Sequence, residues 1–217
     1  MREVDLLDRY PRIKRDIASR GAAAPTARAI ARRFGREYFD GGRGQGYGGY
    51  RYDGRWVPIA ERIRDFYGLT SVHRILDVGC AKGFLLHDLR LVLPGATVAG
   101  VDISSYAIEH AMEDVRPFLL VGSADALPYE DKAFDVVISI NTIHNLELPR
   151  CIQAIREIER VSRDFKYVQV DSYRNDEERE KFERWVLTAV THFDPRGWRR
   201  VFAEAGYTGD YYWTITE

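Results

Sequence analysis

The chain has 217 residues, 45% of them hydrophobic and 30% charged. That is enough apolar material for one sizeable core, so the chain reads as a single globular domain with an accessory segment and not as a fibrous or disordered polypeptide. The net charge of −1 is unevenly spread: residues 1–64 hold 15 Lys and Arg against 8 Asp and Glu, and the remainder 17 against 25. No run reaches the roughly 20 apolar residues of a membrane span, and the charged N-terminus lacks the apolar centre of a signal peptide. Two distant cysteines, Cys80 and Cys151, fit reduced thiols in a cytoplasmic enzyme; no Cys/His cluster marks a metal site.

In chain order, residues 3–19 carry Val4, Leu7 and Ile13 and predict a helix broken near Pro11. Residues 22–25 read as a linker, and Thr26 as the cap of a second helix over 27–34. Residues 39–56, FDGGRGQGYGGYRYDGRW, hold seven glycines and three tyrosines. Flexible connectors are rich in Gly and Ser, whereas tyrosine and tryptophan carry large surfaces that proteins use. The stretch is therefore predicted to be an ordered active-site loop. Tyr47 and Tyr50 offer hydroxyls or ring faces, and Arg43, Arg51 and Arg55 can pair with an anionic group. A single-stranded nucleic acid also suits such composition, but this is one short stretch in a chain with no basic excess. Residues 58–67 put Ile59, Ile63 and Phe66 on one helical face, with Pro58 in the first turn and Gly68 as the stop.

The stretch that organises the chain is residues 75–89, ILDVGCAKGFLLHDL. An apolar run ending at Val78 predicts a strand buried on both faces; Gly79 and Gly83 break it, and Phe84, Leu85, Leu86 and Leu89 resume at helical spacing. Strand, glycine turn and helix form a nucleotide site in open α/β sheets, because the helix start offers free N–H groups. A second strand over 97–101 ends in Asp102, whose carboxylate can accept from both hydroxyls of a ribose. A helix over 104–112, a strand over 118–121, the turn GSADALP at 122–128 and a buried strand over 133–141 follow. The spacing G-x-A-x-G departs from the dinucleotide pattern G-x-G-x-x-G, which makes an NAD enzyme a distant alternative.

Together these four motifs, DVGCAKG at 77–83, Asp102, Ala124-Asp125 and AFDVVISIN at 133–141, resemble the class I S-adenosylmethionine (SAM)-dependent methyltransferases over residues 75–172. The chain is similar to bacterial members of that family with no assigned substrate. The resemblance implies an α/β, Rossmann-like, seven-stranded, mostly parallel sheet flanked by helices. It also implies one late antiparallel strand, here residues 211–215, and an N-terminal helical extension. It divides the chain into a lid segment, 1–56, and a methyltransferase domain, 57–217. It places Asp77, Gly79, Cys80, Ala81 and Gly83 against the methionine half of SAM, Asp102 on the ribose, and Ile103, Ala124 and Asp125 around the adenine. Asn141 serves SAM or the substrate.

Beyond that core, a helix is predicted over 148–161, a strand over 165–170 ending at Asp171, a charged helical insertion over 175–190, and a helix capped by Asp194 and ended by Gly206. Methyl transfer is an in-line displacement that mainly needs the nucleophile held near the methyl carbon, with a base where the nucleophile carries a proton. Candidates are His144 and Asp171, at the carboxyl ends of the fourth and fifth strands, with Tyr47; Tyr50, Arg51 and Asn145 are substrate-side candidates. The implied reaction converts SAM to S-adenosylhomocysteine (SAH) and methylates an O or N atom of a small polar metabolite, such as a sugar or sugar-nucleotide. An RNA or protein methyltransferase and a non-catalytic SAM-binding protein are the alternatives. The expected assembly is a monomer or homodimer without membrane association.

Overall fold

A computed structural model describes residues 1–11, 17 and 24–216. Its centre is a six-stranded sheet ordered β3-β2-β1-β4-β5-β6, with every neighbouring pair parallel. The strands are β1 (Arg74–Val78), β2 (Thr97–Asp102), β3 (Leu119–Val121), β4 (Phe134–Ile140), β5 (Ser162–Ser172) and β6 (Asp210–Ile215). The helices are α1 (Ala24–Ala31), α2 (Arg36–Asp40), α3 (Val57–Tyr67), α4 (Phe84–Val92), α5 (Ser105–Glu109), α6 (Leu148–Val161), α7 (Asp176–Trp185) and α8 (Pro195–Ala205).

Both faces of the sheet are covered, so its central strands are mostly apolar. Successive residues of β4 point opposite ways. Val137 packs with Ile152, Ile155 and Ile158 of α6 and Trp198 and Phe202 of α8. Val136 and Ile138 pack with Ile59 and Ile63 of α3 and Leu85, Leu86 and Leu89 of α4. Local signals set many boundaries. Gly68 and Gly206 end α3 and α8 in the left-handed conformation, while Asn175 and Asp194 cap α7 and α8 by accepting from Glu178 N and Gly197 N.

Four expectations are corrected. Among the described residues the sheet has six strands, and the terminal strand runs parallel to β5, with Tyr167 opposite Asp210 and Ser172 opposite Ile215. The reason is α8: a helical crossover returns the chain to the end of the sheet where β5 began, which makes the next strand parallel. The start of the chain is extended, not helical. Glu3 bridges Tyr211 in parallel, Val4 N donates to Tyr211 O and Tyr211 N to Arg2 O. Leu6 is fully buried and Val4 partly buried, a two-residue spacing that suits an extended segment beside a strand. Of the helix expected over 3–19, residues 12–16 and 18–19 lie outside the described residues, as do 22–23 of the expected linker. Thr26 lies inside α1 instead of capping it, because the helix already starts at Ala24 with Pro25 in its first turn.

Candidate active site

The sheet order reverses direction at β1, with β2 on one side and β4 on the other. The crevice at the carboxyl ends of those strands is where open α/β sheets bind ligands. The turn after β1 is closed by close packing. Gly79 has φ 89° and a Cβ there would lie 1.9 Å from Thr142 Oγ1, just after β4. Gly79 N and Cys80 N both donate to Val101 O, at 2.7 and 3.2 Å. Ala81 also takes a left-handed conformation, φ 49°, and its N–H donates to Asp102 Oδ2 at 2.8 Å. Asp102 Oδ1 accepts from Ser104 N at 2.8 Å. Gly83 completes the turn at φ 73° and α4 begins at once.

Asp102 thus has two jobs: each oxygen accepts one backbone N–H, and each retains a lone pair that can face a diol. Burial raises its pKa, and the two N–H donors pull it part of the way back. Asp77, at the end of β1, is only 5% exposed, and no described residue donates a hydrogen bond to it. Burial and the nearby Asp102 push its carboxyl up to about 7. A buried carboxylate without a donor among the described residues can take a cationic partner. Ile103, next to Asp102, is 55% exposed, so an apolar surface lies open where an adenine would rest, whereas the Asp77 end is enclosed. Cys80 and Ala124 are buried in the two cores. Asp125 is held below the usual carboxylate range by a two-pronged contact from Arg150 and a hydrogen bond from Ser123. A ligand amino group would share its oxygens with those donors.

The other side of the crevice is formed by the ends of β4 and β5. Asn141 is left-handed, φ 53°, and its Oδ1 accepts from Thr214 Oγ1 at 2.9 Å. Asn145 Nδ2 donates to Asn141 O, leaving a buried Oδ1 with no described partner. His144 is 2% exposed, and both its ring nitrogens face Asp171. Nδ1 accepts from Asp171 N at 3.0 Å, so the ring hydrogen sits on Nε2, 3.5 Å from Asp171 Oδ2. Burial lowers the His144 pKa and Asp171 only partly opposes it, so the ring is neutral near pH 7. The carboxylate of Asp171 is the more open member of the pair, with its side chain 18% exposed.

The loop over 39–56 is ordered and lies over this crevice. Asp40 is its hub: it accepts from Lys82 Nζ at 2.6 and 2.9 Å, from Tyr106 Oη at 2.8 Å and from Tyr50 N at 3.2 Å. Burial opposes the charge on Asp40, but the Lys82 and Tyr106 bonds outweigh it and hold the carboxyl below its usual range. Tyr50 stacks on Phe84 at 4.7 Å, and Tyr47 lies 4.4 Å from Tyr50. Tyr38 meets Tyr47 edge-on at 5.1 Å, and burial raises the pKa of its phenol, with Asp102 and Asp171 adding to the rise. The segment after α7 meets the N-terminal helices here: Leu187 packs on Ala27 and Ala31, and Arg28 donates to Val186 O and Glu183 O. Arg51 stays exposed. Sequence reasoning missed Asp40, Tyr38 and the inward turn of Lys82, whose partners lie far off in sequence. It also missed His192, half-buried against Tyr173 and Phe182 with an unpartnered buried Nδ1.

The family described as "Methyltransferase domain" matches residues 69–206, and the chain belongs to that family. A malonyl-[acyl-carrier protein] O-methyltransferase of Legionella pneumophila is 40% identical over 91 residues, covering 40% of this chain and 31% of its own length. YcgJ of Bacillus subtilis, an uncharacterized methyltransferase, is 32% identical over 108 residues, 46% of this chain and 41% of its own. The chain thus spans well under half the length of these curated relatives. Among solved structures, the Haloferax volcanii complex between the Trm112 methyltransferase activator and a methyltransferase superposes with a TM-score of 0.55. It has 22% identity and covers 71% of this chain and 73% of that one; the likeness is one of fold.

Proposed function

We propose that this chain is a SAM-dependent methyltransferase acting on an O or N atom of a small polar metabolite, with a sugar or sugar-nucleotide favoured. The observation that carries the cofactor is the spacing of three chemically distinct surfaces along one turn. Asp77 suits an ammonium, Asp102 a diol, and the open Ile103 a purine. SAM, when bound there, would supply an electrophilic methyl group on a sulfonium leaving group. The protein then has to hold the nucleophile in line and keep water out. Asp171 is the proton acceptor in this reading, and His144 is the positioning residue whose ring holds the carboxylate and the end of β5. Tyr47 and Tyr38 contribute hydroxyls to the roof that orients the acceptor. The roof supports a small acceptor: two segments distant in sequence meet across the crevice, which leaves little room for a folded macromolecule.

Calorimetric titration with SAM, SAH and NAD tests the cofactor, and SAH formation across a panel of hydroxyl and amine metabolites tests the reaction. Micromolar or tighter binding of SAM and SAH with no response to NAD is expected. Absence of SAM binding, or binding without SAH formation on any acceptor, would overturn the enzymatic reading.

A further inference from the structure

Resting on the SAM reading above, the geometry points to a role for Tyr50 on the cofactor side of the crevice. We propose that the Tyr50 hydroxyl donates a hydrogen bond to the α-carboxylate of the methionine half of SAM and SAH, and that the Lys82–Asp40 pair is the strut that places it.

A methionine half lying on the glycine turn brings one cation and one anion. Asp77 answers the ammonium. The carboxylate, in contrast, comes to rest near Asp77 and Asp102, which repel it, so it requires a donor. Lys82, in the turn itself, is the cation nearest in sequence, yet it is 7% exposed and its three ammonium hydrogens are taken. They go to Asp40 Oδ1 at 2.9 Å, Asp40 Oδ2 at 2.6 Å and Tyr50 O at 3.0 Å. Those bonds fix Tyr50 instead. Its carbonyl is held by Lys82, its N–H donates to Asp40 Oδ1 at 3.2 Å and to Phe39 O at 2.9 Å, and its ring lies nearly parallel to Phe84. Phe84 is the first residue of α4, directly after Gly83, so the ring sits on the helix start at the edge of the turn.

The hydroxyl has no hydrogen-bond partner among the described residues, although it lies within electrostatic reach of Asp77 and Asp102. Burial, together with the neighbouring Tyr10 and Asp77, keeps the phenol protonated at any working pH, so it is always a donor. A neutral donor also avoids competing with the ligand's ammonium for Asp77. Tyr50 is thereby moved from the acceptor to the cofactor, and the lid becomes part of the cofactor site.

The test compares SAH with 5′-methylthioadenosine, which keeps the nucleoside and the sulfur but lacks the amino acid. Each is titrated calorimetrically into the wild-type protein and into Tyr50→Phe, which preserves the stack on Phe84. Losing a hydrogen bond to a charged group should weaken SAH roughly ten-fold or more, while 5′-methylthioadenosine changes by less than about two-fold. Unchanged SAH affinity would overturn the proposal. So would an equal loss for both nucleosides, which would mean that the lid itself had shifted. A wild-type protein that binds neither nucleoside would remove the SAM reading, and the proposal with it.

Discussion

Ala81 occupies the middle position of the glycine turn, where the related pattern has glycine, and it adopts φ 49°. A Cβ in the left-handed region costs about 1–2 kcal/mol, partly offset because alanine loses less freedom on folding than glycine does. Ala81→Gly is therefore expected to raise stability by about 0.5–1 kcal/mol in urea denaturation; a lower midpoint would mean that the side chain makes contacts worth more than the strain. The strain is held by the Ala81 N–H to Asp102 bond, which ties the turn to the end of β2.

Asp77 gives the site a pH dependence. Its folded-state carboxyl is near 7, above the ordinary carboxylate value. Between about pH 4 and 7 the folded protein thus holds a proton that the unfolded chain has lost, and this acid's contribution to stability declines as pH rises through that window. Binding behaves oppositely. An ammonium needs the ionised acid, so SAH affinity should rise roughly ten-fold between pH 6 and pH 8, with proton release visible as a buffer-dependent heat. The same affinity at both pH values would show that Asp77 does not meet the amine. The sequence made the acid legible, but not its pKa, because that depends on burial at the end of β1 and on Asp102 of the neighbouring strand.

At the scale of elements, what was legible was local. The apolar run before Gly79, the cap at Asp194 and the stops at Gly68 and Gly206 each act over a few residues, and each could be read directly. The direction of β6 was not local: it follows from α8 crossing over the sheet, and the terminal strand's own residues carry no mark of it. The Lys82–Asp40 pair joins residues 42 apart and left no pattern at all. Its role is testable. Lys82→Met leaves Asp40 without its cation in a mostly enclosed place, which should cost about 1–3 kcal/mol of lid docking. Amide hydrogen exchange across residues 36–50 should accelerate while β1 and β4 remain protected. Equal acceleration in the sheet would mean that the pair supports the whole fold.

At the scale of the molecule, the start of the chain is part of the sheet. Arg2 pairs with Asp210 at 2.7 Å, Val4 and Tyr211 share the ladder, and Leu6 is fully buried. Deleting residues 1–10 should lower stability by about 3 kcal/mol, chiefly through lost apolar burial. It should also cause concentration-dependent association through the uncovered β6 edge, visible in sedimentation. A monomeric variant of unchanged stability would show the segment to be dispensable. The helix reading of this segment rested on Val4 and Leu7. Leu6 is buried in the core formed by α3, α4 and β1, and its N–H faces Tyr167 Oη of β5, 161 residues later in the chain.

The roof has a consequence for how such a protein can change over generations. The glycine turn and its acids lie within residues 69–206, which the methyltransferase family shares, whereas α1, α2 and the tyrosine-rich loop lie before them. The two regions meet at many points, among them Lys82 with Asp40, Ser104 Oγ with Phe34 O, Tyr50 with Phe84, and Arg28 with the segment after α7. On the proposed reading, substitutions in the leading segment would redraw the side facing the acceptor only where Asp40 and Tyr50, which are tied to Lys82 of the glycine turn, are kept. A lineage could acquire new acceptors by varying this prefix, and a chimera exchanging residues 24–56 between two relatives would be the laboratory counterpart of that history.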